Sequence, residues 1–295
     1  ISTTQLSQLL HSNAIKLDAQ LARLDFDQQV IDEALLNILL PWISSSNISI
    51  KQLNLSSLGN CSRAWRVFFD WLFKQPCRIE SINLGNTRLN LSRVKDLICV
   101  LQDENIAIQR LDLGVSMWSF ADMKAFVWMG GLTKSHQLSR LALGDARLCR
   151  HGQRLLIQAI CQPTSCIQIF SSGITQLDCA EMTHLLSHLA SEDSQFRSCV
   201  LSNQTLDAKQ SSQLANVISQ ADRLQNLGII NCWIDHESFT RKCTKRGVIP
   251  NLYIEAITAG QVQQLSDALH DRGYQTSHHI SKHRLRMTLV KAHSS

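Results

Sequence analysis

Apolar residues recur along this chain in short clusters that follow neither a helical nor a simple strand period. The stretch "LQNLGIINCWI", residues 224–234, has apolar side chains at Leu224, Leu227 and Ile229, and another at Ile234. This spacing suits neither a continuous helix nor an amphipathic strand. It predicts a short strand with Leu227 and Ile229 in the core, a turn at Cys232, and Ile234 leading into a helix.

The same cluster, written L-x-x-L-x-L, recurs along most of the chain. Copies begin at positions 50, 79, 108, 138, 166, 196, 224 and 249, so successive starts lie 25 to 30 residues apart. Internal repeats of this length are typical of a solenoid, in which each unit buries its apolar side against its neighbours. The fifth copy, "CIQIFS" from Cys166, is irregular because Ser171 stands where an apolar residue is expected.

Each copy is followed by a predicted turn and helix. The residues after the turn have helical spacing, as in Met182, Leu185, Leu186 and Leu189. The fifth copy is slipped by one, to Leu177. In most other copies a further apolar residue lies five positions past the last template site, at Leu89, Trp118, Leu148, Leu206 and Ile234.

These motifs resemble leucine-rich repeats, and their length resembles the ribonuclease-inhibitor subtype of that family. The resemblance covers roughly residues 50–255. It implies an α/β solenoid shaped as a curved horseshoe, with parallel strands on the concave face and helices on the convex face. Proteins of this subtype include animal inhibitors or sensors and proteins that bacteria inject into host cells. The Gln-, Ser- and His-rich composition favours a bacterial source.

The two ends are predicted to cap a repeat region at residues 49–258. Residues 1–48, with "AIKLDAQLARL" and "DFDQQVIDEALLNILLPWI", predict a helical N-terminal cap whose helix stops at Pro41. Residues 259–295 predict a βαβ-type C-terminal cap, in which the helix "AGQVQQLSDALHDRG" precedes a hairpin. Arg284, Arg286 and Lys291 would protect the open edge of that hairpin from pairing with another chain.

The predicted concave wall supplies the candidate partner-binding residues. Side chains alternate across a strand, so residues between the core positions face outward. These outward positions begin polar, include a pair of arginines, and become more apolar in later repeats. Phe170 has an alternative interpretation, in which it fills the irregularity of the fifth repeat. The predicted binding residues are Arg110, Asp112, Arg140, Phe170, Val200, Ile230 and Tyr253.

Composition indicates a folded, soluble body. The chain has 295 residues, of which 44% are hydrophobic and 18% charged, with a net charge of +5. It has neither an apolar run of about 18 residues nor a secretory leader pattern, which favours a cytoplasmic location. If the protein is a bacterial effector, we expect a secretion system to deliver it to a host cell. Ile1 in place of a starting Met indicates a fragment of a longer chain.

The basic C-terminal segment supports a rival interpretation. Residues 271–295 carry five basic residues and one acidic residue, whereas residues 1–48 carry two basic and five acidic residues. In the rival hypothesis an enzyme or nucleic-acid binder uses residues 259–295 and the repeats only position them. Nucleic acid is disfavoured because Tyr274 is the one aromatic ring near the basic residues.

Metal and cofactor sites are not expected. None of the ten cysteines forms CxxC, and reduced thiols in the core are predicted. Neither of two possible clusters has the spacing of a known zinc module. One cluster combines His184 and His188 with Glu181 and Cys179, and the other combines Cys149, His151, Cys161 and Cys166. The thiols assigned to apolar positions of the repeat pattern are Cys99, Cys166, Cys199 and Cys232.

No motif indicates an enzyme. The chain lacks G-x-S-x-G, a P-loop and G-x-G-x-x-G. Trp65 and Trp71 are predicted to fill the core of the first repeats, whereas Trp233 fits either the core or an exposed position. The sequence therefore predicts a non-enzymatic protein that recognises another protein through the strand face of its repeats.

Overall fold

The chain forms two compact units, residues 1–152 and 153–295. The computed structural model describes residues 16–18, 23–25, 33–45, 51–54, 62–74, 79–85, 90–114, 117–135, 137–144, 147–173, 176–243, 251–256, 263–264, 267, 270, 275–281 and 284–290.

The first unit alternates short strands with helices. The described elements are β1 (Lys16–Asp18), β2 (Arg23–Asp25), α1 (Glu33–Ser45), β3 (Gln52–Asn54), α2 (Ser62–Lys74), β4 (Ser81–Asn83), α3 (Leu91–Gln102), β5 (Arg110–Asp112), β6 (Met117–Trp118), α4 (Phe120–Trp128), β7 (Arg140–Ala142), β8 (Arg147–Leu148) and the start of α5 (Arg150–Ile160).

The second unit continues the alternation and ends in longer strands. Its described elements after α5 are β9 (Ile169–Ser171), α6 (Cys179–Leu189), β10 (Ser198–Ser202), β11 (Thr205–Leu206), α7 (Ala208–Gln220), β12 (Asn226–Ile234), α8 (His236–Lys242), β13 (Asn251–Ala256), β14 (Gln275–Ser281) and β15 (Arg284–Val290).

Strands from successive repeats pair in parallel within each unit. In the first unit β2, β3, β4, β5 and β7 form one ladder, and in the second unit β9, β10, β12 and β13 form another. Leu53, Ile82, Leu111 and Leu141 occupy the same register position and are 0 to 2% exposed. Both units therefore have the strand and helix alternation of an α/β leucine-rich-repeat solenoid, which confirms the predicted fold class.

The two tryptophans of α2 differ in burial. Trp65 is 1% exposed, as predicted, and the Arg93 guanidinium lies 5.3 Å from the centre of its ring. Trp71 is only half-buried, because its indole N–H reaches outward to donate to Ser44 Oγ at 2.8 Å. Such a partner is usual for a tryptophan that is partly buried.

Each unit also has a second, smaller strand pairing, which follows main strands at positions where a turn was predicted. β6 pairs in parallel with β8, and β11 pairs with the end of β12. Leu148, Leu206 and Ile234, the apolar residues predicted after the turn, lie in these short strands and are buried. Leu89 lies outside the described residues. After β5, β7 and β10 the chain thus forms a second short strand before the next helix begins.

The N-terminal prediction is wrong in two respects. The segment predicted as the first cap helix contains β1 and β2, which pair antiparallel, and β2 joins β3 in parallel. Its three-residue strands are too short to show a strand period. The predicted later helix is present as α1 but runs through Pro41 to Ser45. Proline removes one N–H donor, and near a helix end only the last turn must adapt to that loss.

The C-terminal hairpin is present. β14 and β15 pair antiparallel, and β15 also pairs antiparallel with β13. Between β13 and β14, residues 263, 264, 267 and 270 are helical. Lys291, predicted to protect the edge, lies outside the described residues. Whether the ends act as caps, with the boundaries expected from the sequence, stays a prediction.

The fifth repeat has a different register from the one the sequence suggested. Phe170 pairs with Cys199 and Ser171 pairs with Val200. Ile167, Phe170 and Ser172 are all 0% exposed, so the template begins at Ile167 rather than Cys166. Ser172 fills the last core position because its hydroxyl accepts from the backbone N–H of Ser202 at 3.2 Å, which satisfies a buried donor.

Candidate functional site

The face of the first unit's ladder that points away from the core, called its outer face here, forms a shallow depression. The sequence predicted this strand face as the concave wall. The depression has a volume of about 360 Å³. Arg110 and Arg140 lie on its surface with exposed side chains, and Asp112 is half-buried. These three positions face away from the core, as the alternation predicted. Its lining residues are Gln52, Leu53, Asn54, Ser81, Asn83, Arg110, Leu111, Asp112, Arg140 and Ala142.

Backbone turns fix the polar side chains at one end of this depression. Asn83 Oδ1 accepts from the N–H of Gly85 at 2.7 Å, and Asp112 Oδ1 accepts from the N–H of Gly114 at 2.8 Å. Each bond closes a small loop at the end of a strand. The two side chains are therefore held in place before any ligand binds.

Glycine is required where these turns stack. Gly114 has φ +44°, and a Cβ atom there would lie 2.2 Å from the Cα of Gly85. Gly144 has φ +54°, and its Cβ would lie 2.6 Å from the Cα of Gly114. Side chains are excluded both by the left-handed backbone and by the close approach of the neighbouring turn. This glycine column was missed in the sequence, where its signal is a Gly two residues after Asn83, Asp112 and Ala142.

The outer face of the ladder in the second unit is less charged. Val200 lies between Ser171 and Gly228 in register, and Gly228 pairs with Tyr253. Val200 and Tyr253 are half-buried. A Cβ at Gly228 would lie 3.2 Å from Val200 Cγ2, so the valine side chain extends over the glycine. Ile230, two residues along β12, is also half-buried.

The prediction that Phe170 faces outward is wrong. Its side chain is 0% exposed and its ring centre lies 6.4 Å from that of Phe196. The physical reason is the register of β9, which places Phe170 in the core and Ile169 and Ser171 on either side of it. The alternative interpretation, in which this residue fills the odd fifth repeat, describes its position correctly.

Two asparagines take the place of glycine at the turns of the later repeats. Asn203 and Asn231 have φ of 56° and 53°, the left-handed conformation that asparagine tolerates better than other side chains. The Asn231 amide donates to Asn203 Oδ1. Trp233 follows this pair and is 45% exposed, which decides the question that its sequence position left open.

Histidines and cysteines do not converge on a metal site in the part of the chain that the structure describes. That part holds no group of three or more His, Cys, Asp or Glu residues placed to bind an ion. His188 packs edge to face on Phe196, and burial, with a smaller contribution from the charge of His184, lowers its pKa. His184 is exposed beside a depression of about 300 Å³ that Arg154 and Glu181 also line.

The thiols divide by burial. The eight cysteines in the described residues are all free. Cys199 and Cys232 are buried, as predicted, whereas Cys99 is exposed and Cys166 is half-buried. The prediction for Cys166 fails because the repeat begins one residue later. Cys99 lies on the solvent side of α3. Cys179 is exposed, and a hydrogen bond to the Asp207 carboxylate raises its pKa.

Comparisons with known proteins add a structural likeness. No protein-family model and no curated protein sequence matches this chain. A solved structure titled "Crystal structure of TLR13-ssRNA13 complex" is similar, with 17% sequence identity and a TM-score of 0.36. The match covers 72% of this chain and 34% of that chain, so this chain spans about a third of that chain's length.

None of the described helices combines the length and apolar character needed to cross a membrane.

Proposed function

We propose that this protein is a non-enzymatic recognition module that binds another protein through the outer faces of its parallel strands. The observation that carries the proposal is the polar face of the first unit, on which Arg110 and Arg140 are exposed and the half-buried Asp112 is fixed by a turn. Arginine is enriched in protein interfaces and contributes strongly to binding when it becomes buried there. In the second unit, Val200, Ile230 and Tyr253 would supply apolar contacts.

The architecture supports this proposal because the core uses only the inner side of each strand. Leu111 and Leu141 are 0 to 1% exposed, whereas Arg110 and Arg140 beside them are exposed. The outward residues can therefore serve a partner at little cost in stability. Extended arrays of such positions are what repeat proteins offer for binding. A cytoplasmic location, and the effector role suggested by the resemblance, belong to the same proposal.

Binding measurements on matched variants test this function. A partner would be captured on the immobilised full chain, purified, and its Kd measured by calorimetry. We expect Arg140→Glu and Val200→Glu each to weaken binding if both faces take part. Lys209→Glu is the control. Lys209 is exposed on α7, away from the strands, and this substitution reverses a positive charge as Arg140→Glu does. A partner whose Kd is unchanged by both strand-face variants would contradict the proposal.

Removal of residues 259–295 separates this proposal from the rival one. The rival places nucleic-acid binding or catalysis in that segment. Within it the structure describes β14 and β15, which pair with each other, and β15 also pairs with β13. Under our proposal the truncated chain loses stability, since β13 loses an edge partner. If the circular-dichroism spectrum and melting temperature are unchanged while partner binding disappears, the rival is correct.

A further inference from the structure

Two arginines on the outer face of the first unit lie directly opposite each other. Arg110 on β5 and Arg140 on β7 are partners in the parallel register, on strands about 4.8 Å apart, and both side chains are exposed. Like charges opposite each other destabilise a sheet. Among the described residues, neither guanidinium forms an ion pair.

The neighbouring strands show the opposite arrangement. Lys51 immediately precedes β3 and Glu80 immediately precedes β4, and Lys51 Nζ lies 3.0 Å from Glu80 Oε1. Both side chains are exposed. The same ladder thus pairs opposite charges across one pair of strands and places two positive charges together across another. A negatively charged ligand would turn the second arrangement into a favourable one.

We infer that Arg110 and Arg140 bind carboxylates of an acidic segment in the partner protein, which lies along the outer face of the first unit. This inference rests on the proposed function and specifies the chemistry of its partner. A guanidinium offers a planar fork of N–H donors that matches a carboxylate with two parallel hydrogen bonds. Two such forks one strand apart can hold a single carboxylate between them or two neighbouring ones.

Other lining groups favour an acceptor-rich ligand. Asn83 Oδ1 already accepts from Gly85, which leaves the amide N–H groups of Asn83 to donate outward. Gln52 and Ser81 add further donors on the same face. Asp112 is the one carboxylate among the lining residues, and its Oδ1 accepts from Gly114. Its charge repels anions at its end of the strand, so the partner's carboxylates bind at the Arg110 and Arg140 end.

The lining favours a peptide over a nucleic acid. Recognition of single-stranded nucleic acid commonly combines basic residues with aromatic rings on which bases stack. The residues that line the depression include no aromatic side chain. Backbone carbonyls and acidic side chains of an extended peptide, by contrast, match the asparagine, glutamine and serine donors beside the arginines.

The test uses labelled peptides and the full chain. The probe is Ser-Glu-Ser-Glu-Ser-Glu-Ser, and its comparison peptide has Gln in place of each Glu. Binding is followed by fluorescence anisotropy at about 50 mM salt, because exposed charges are screened as salt rises. We expect the acidic peptide to bind wild type about tenfold tighter than the glutamine peptide. Equal affinity for the two peptides would overturn the inference.

Matched double variants show whether the arginine pair is responsible. Arg110→Gln/Arg140→Gln should abolish the preference for the acidic peptide. Arg154→Gln/Arg223→Gln removes the same charge from exposed positions elsewhere and should retain the preference. Equal losses in both variants would mean that net charge alone attracts the peptide, which overturns the inference. Arg140→Lys keeps the charge without the fork, and unchanged affinity in that variant would contradict the forked contact.

Two further probes separate the alternative ligands. A phosphoserine peptide that binds more than tenfold tighter than the glutamate peptide would replace carboxylate by phosphate as the ligand. Oligouridylate that binds tighter than either peptide, through the same arginines, would replace the peptide by nucleic acid. Each result overturns the inference as stated. A natural partner that requires Val200 but tolerates Arg110→Gln/Arg140→Gln would keep the proposed function and reject this inference alone.

Discussion

Phe170 on β9 lies opposite Cys199 on β10, and both side chains are fully buried. The pairing places Ser171 opposite Val200 on the outer face. A one-residue change in register exchanges the two faces of a strand. Position 170 therefore belongs to the core of the second unit, and the outward position of this repeat is occupied by a small polar residue.

We expect Phe170→Ala to destabilise the second unit by about 3–5 kcal/mol, since it removes a buried aromatic side chain and leaves a cavity. Urea unfolding at pH 7 measures the change. Ile169→Ala is the matched control, because Ile169 is on the same strand and only half-buried. Its loss should be less than half as large. Equal losses from the two substitutions would contradict the register described here.

Gly114→Ala should destabilise the first unit by at least about 2 kcal/mol, because the left-handed backbone is strained by a Cβ and the neighbouring turn must move. Gly152→Ala is its control. A Cβ at Gly152, within α5, would meet Cys149 Sγ at an ordinary 3.5 Å. Alanine there should stabilise by about 0.5–1 kcal/mol through helix propensity. Thermal unfolding of both variants against wild type decides the outcome, and similar melting temperatures would refute the stacking argument.

Gln204→Leu tests whether a buried amide holds two repeats together. Gln204 is 2% exposed, its Oε1 accepts from the N–H of Leu177 at 2.9 Å, and its Nε2 donates to the Ser202 carbonyl at 2.6 Å. Leucine leaves those two backbone groups without their partner, at about 1–3 kcal/mol each. Gln213→Leu is the control, because its buried Oε1 has no hydrogen-bond partner and its Nε2 donates to the exposed side chain of Ser187 rather than to a backbone group. That variant should change the unfolding free energy by less than about 1 kcal/mol.

Alkaline pH should destabilise the protein through its buried thiols. Burial raises the pKa of Cys161 to about 12 and that of Cys232 to about 11, from an ordinary value of 9.0, and it also raises the pKa of Cys199. The folded state therefore keeps protons that the unfolded state releases. The stability is fully present below pH 9 and is lost as pH rises from 9 toward 11 to 12, by at most about 1.4 kcal/mol per pH unit for each thiol.

Urea unfolding between pH 7 and pH 10.5 measures this loss, and Cys161→Ala should reduce its slope above pH 9. A thiol reagent gives a second readout at pH 8. Cys99 and Cys149 are exposed and should react in the native state, whereas Cys161, Cys199 and Cys232 should react only in urea. Rapid native labelling of Cys199 would show that the second unit opens readily.

The repeat architecture could be predicted from sequence because each copy repeats the same apolar spacing. The fifth copy was placed one residue early, since Cys166 and Ile167 are both apolar and a serine stands at its last core position. The spacing of the repeats indicates the correct start, because position 167 lies 29 residues from both neighbouring starts. The short strands near the N-terminus gave no such signal, because Lys16–Asp18 and Arg23–Asp25 contain a single apolar residue each.

The exposed placement of Arg110 and Arg140 followed from strand alternation, and their role in binding stays a prediction. The sequence also predicted them as a pair, because they occupy equivalent positions of successive repeats, and the register places them opposite each other. The hydrogen bonds of Asn83, Asp112 and Gln204 to backbone groups also require coordinates. The contact of Gln204 with Leu177 depends on how one repeat lies on the next, which a residue pattern does not encode. Asn83 and Asp112, by contrast, each accept from a backbone N–H only two residues along the chain.

The left-handed turn residue moves by one position along the second unit. Gly173 follows the outward residue Ser171 by two positions, whereas Asn203 follows Val200 by three, as Asn231 follows Gly228. The repeat that contains β9 and the repeats that contain β10 and β12 are thus not interchangeable building blocks. A designer who joined consensus copies would have to choose one turn length throughout, or reproduce the one-residue change in turn position between β9 and β10.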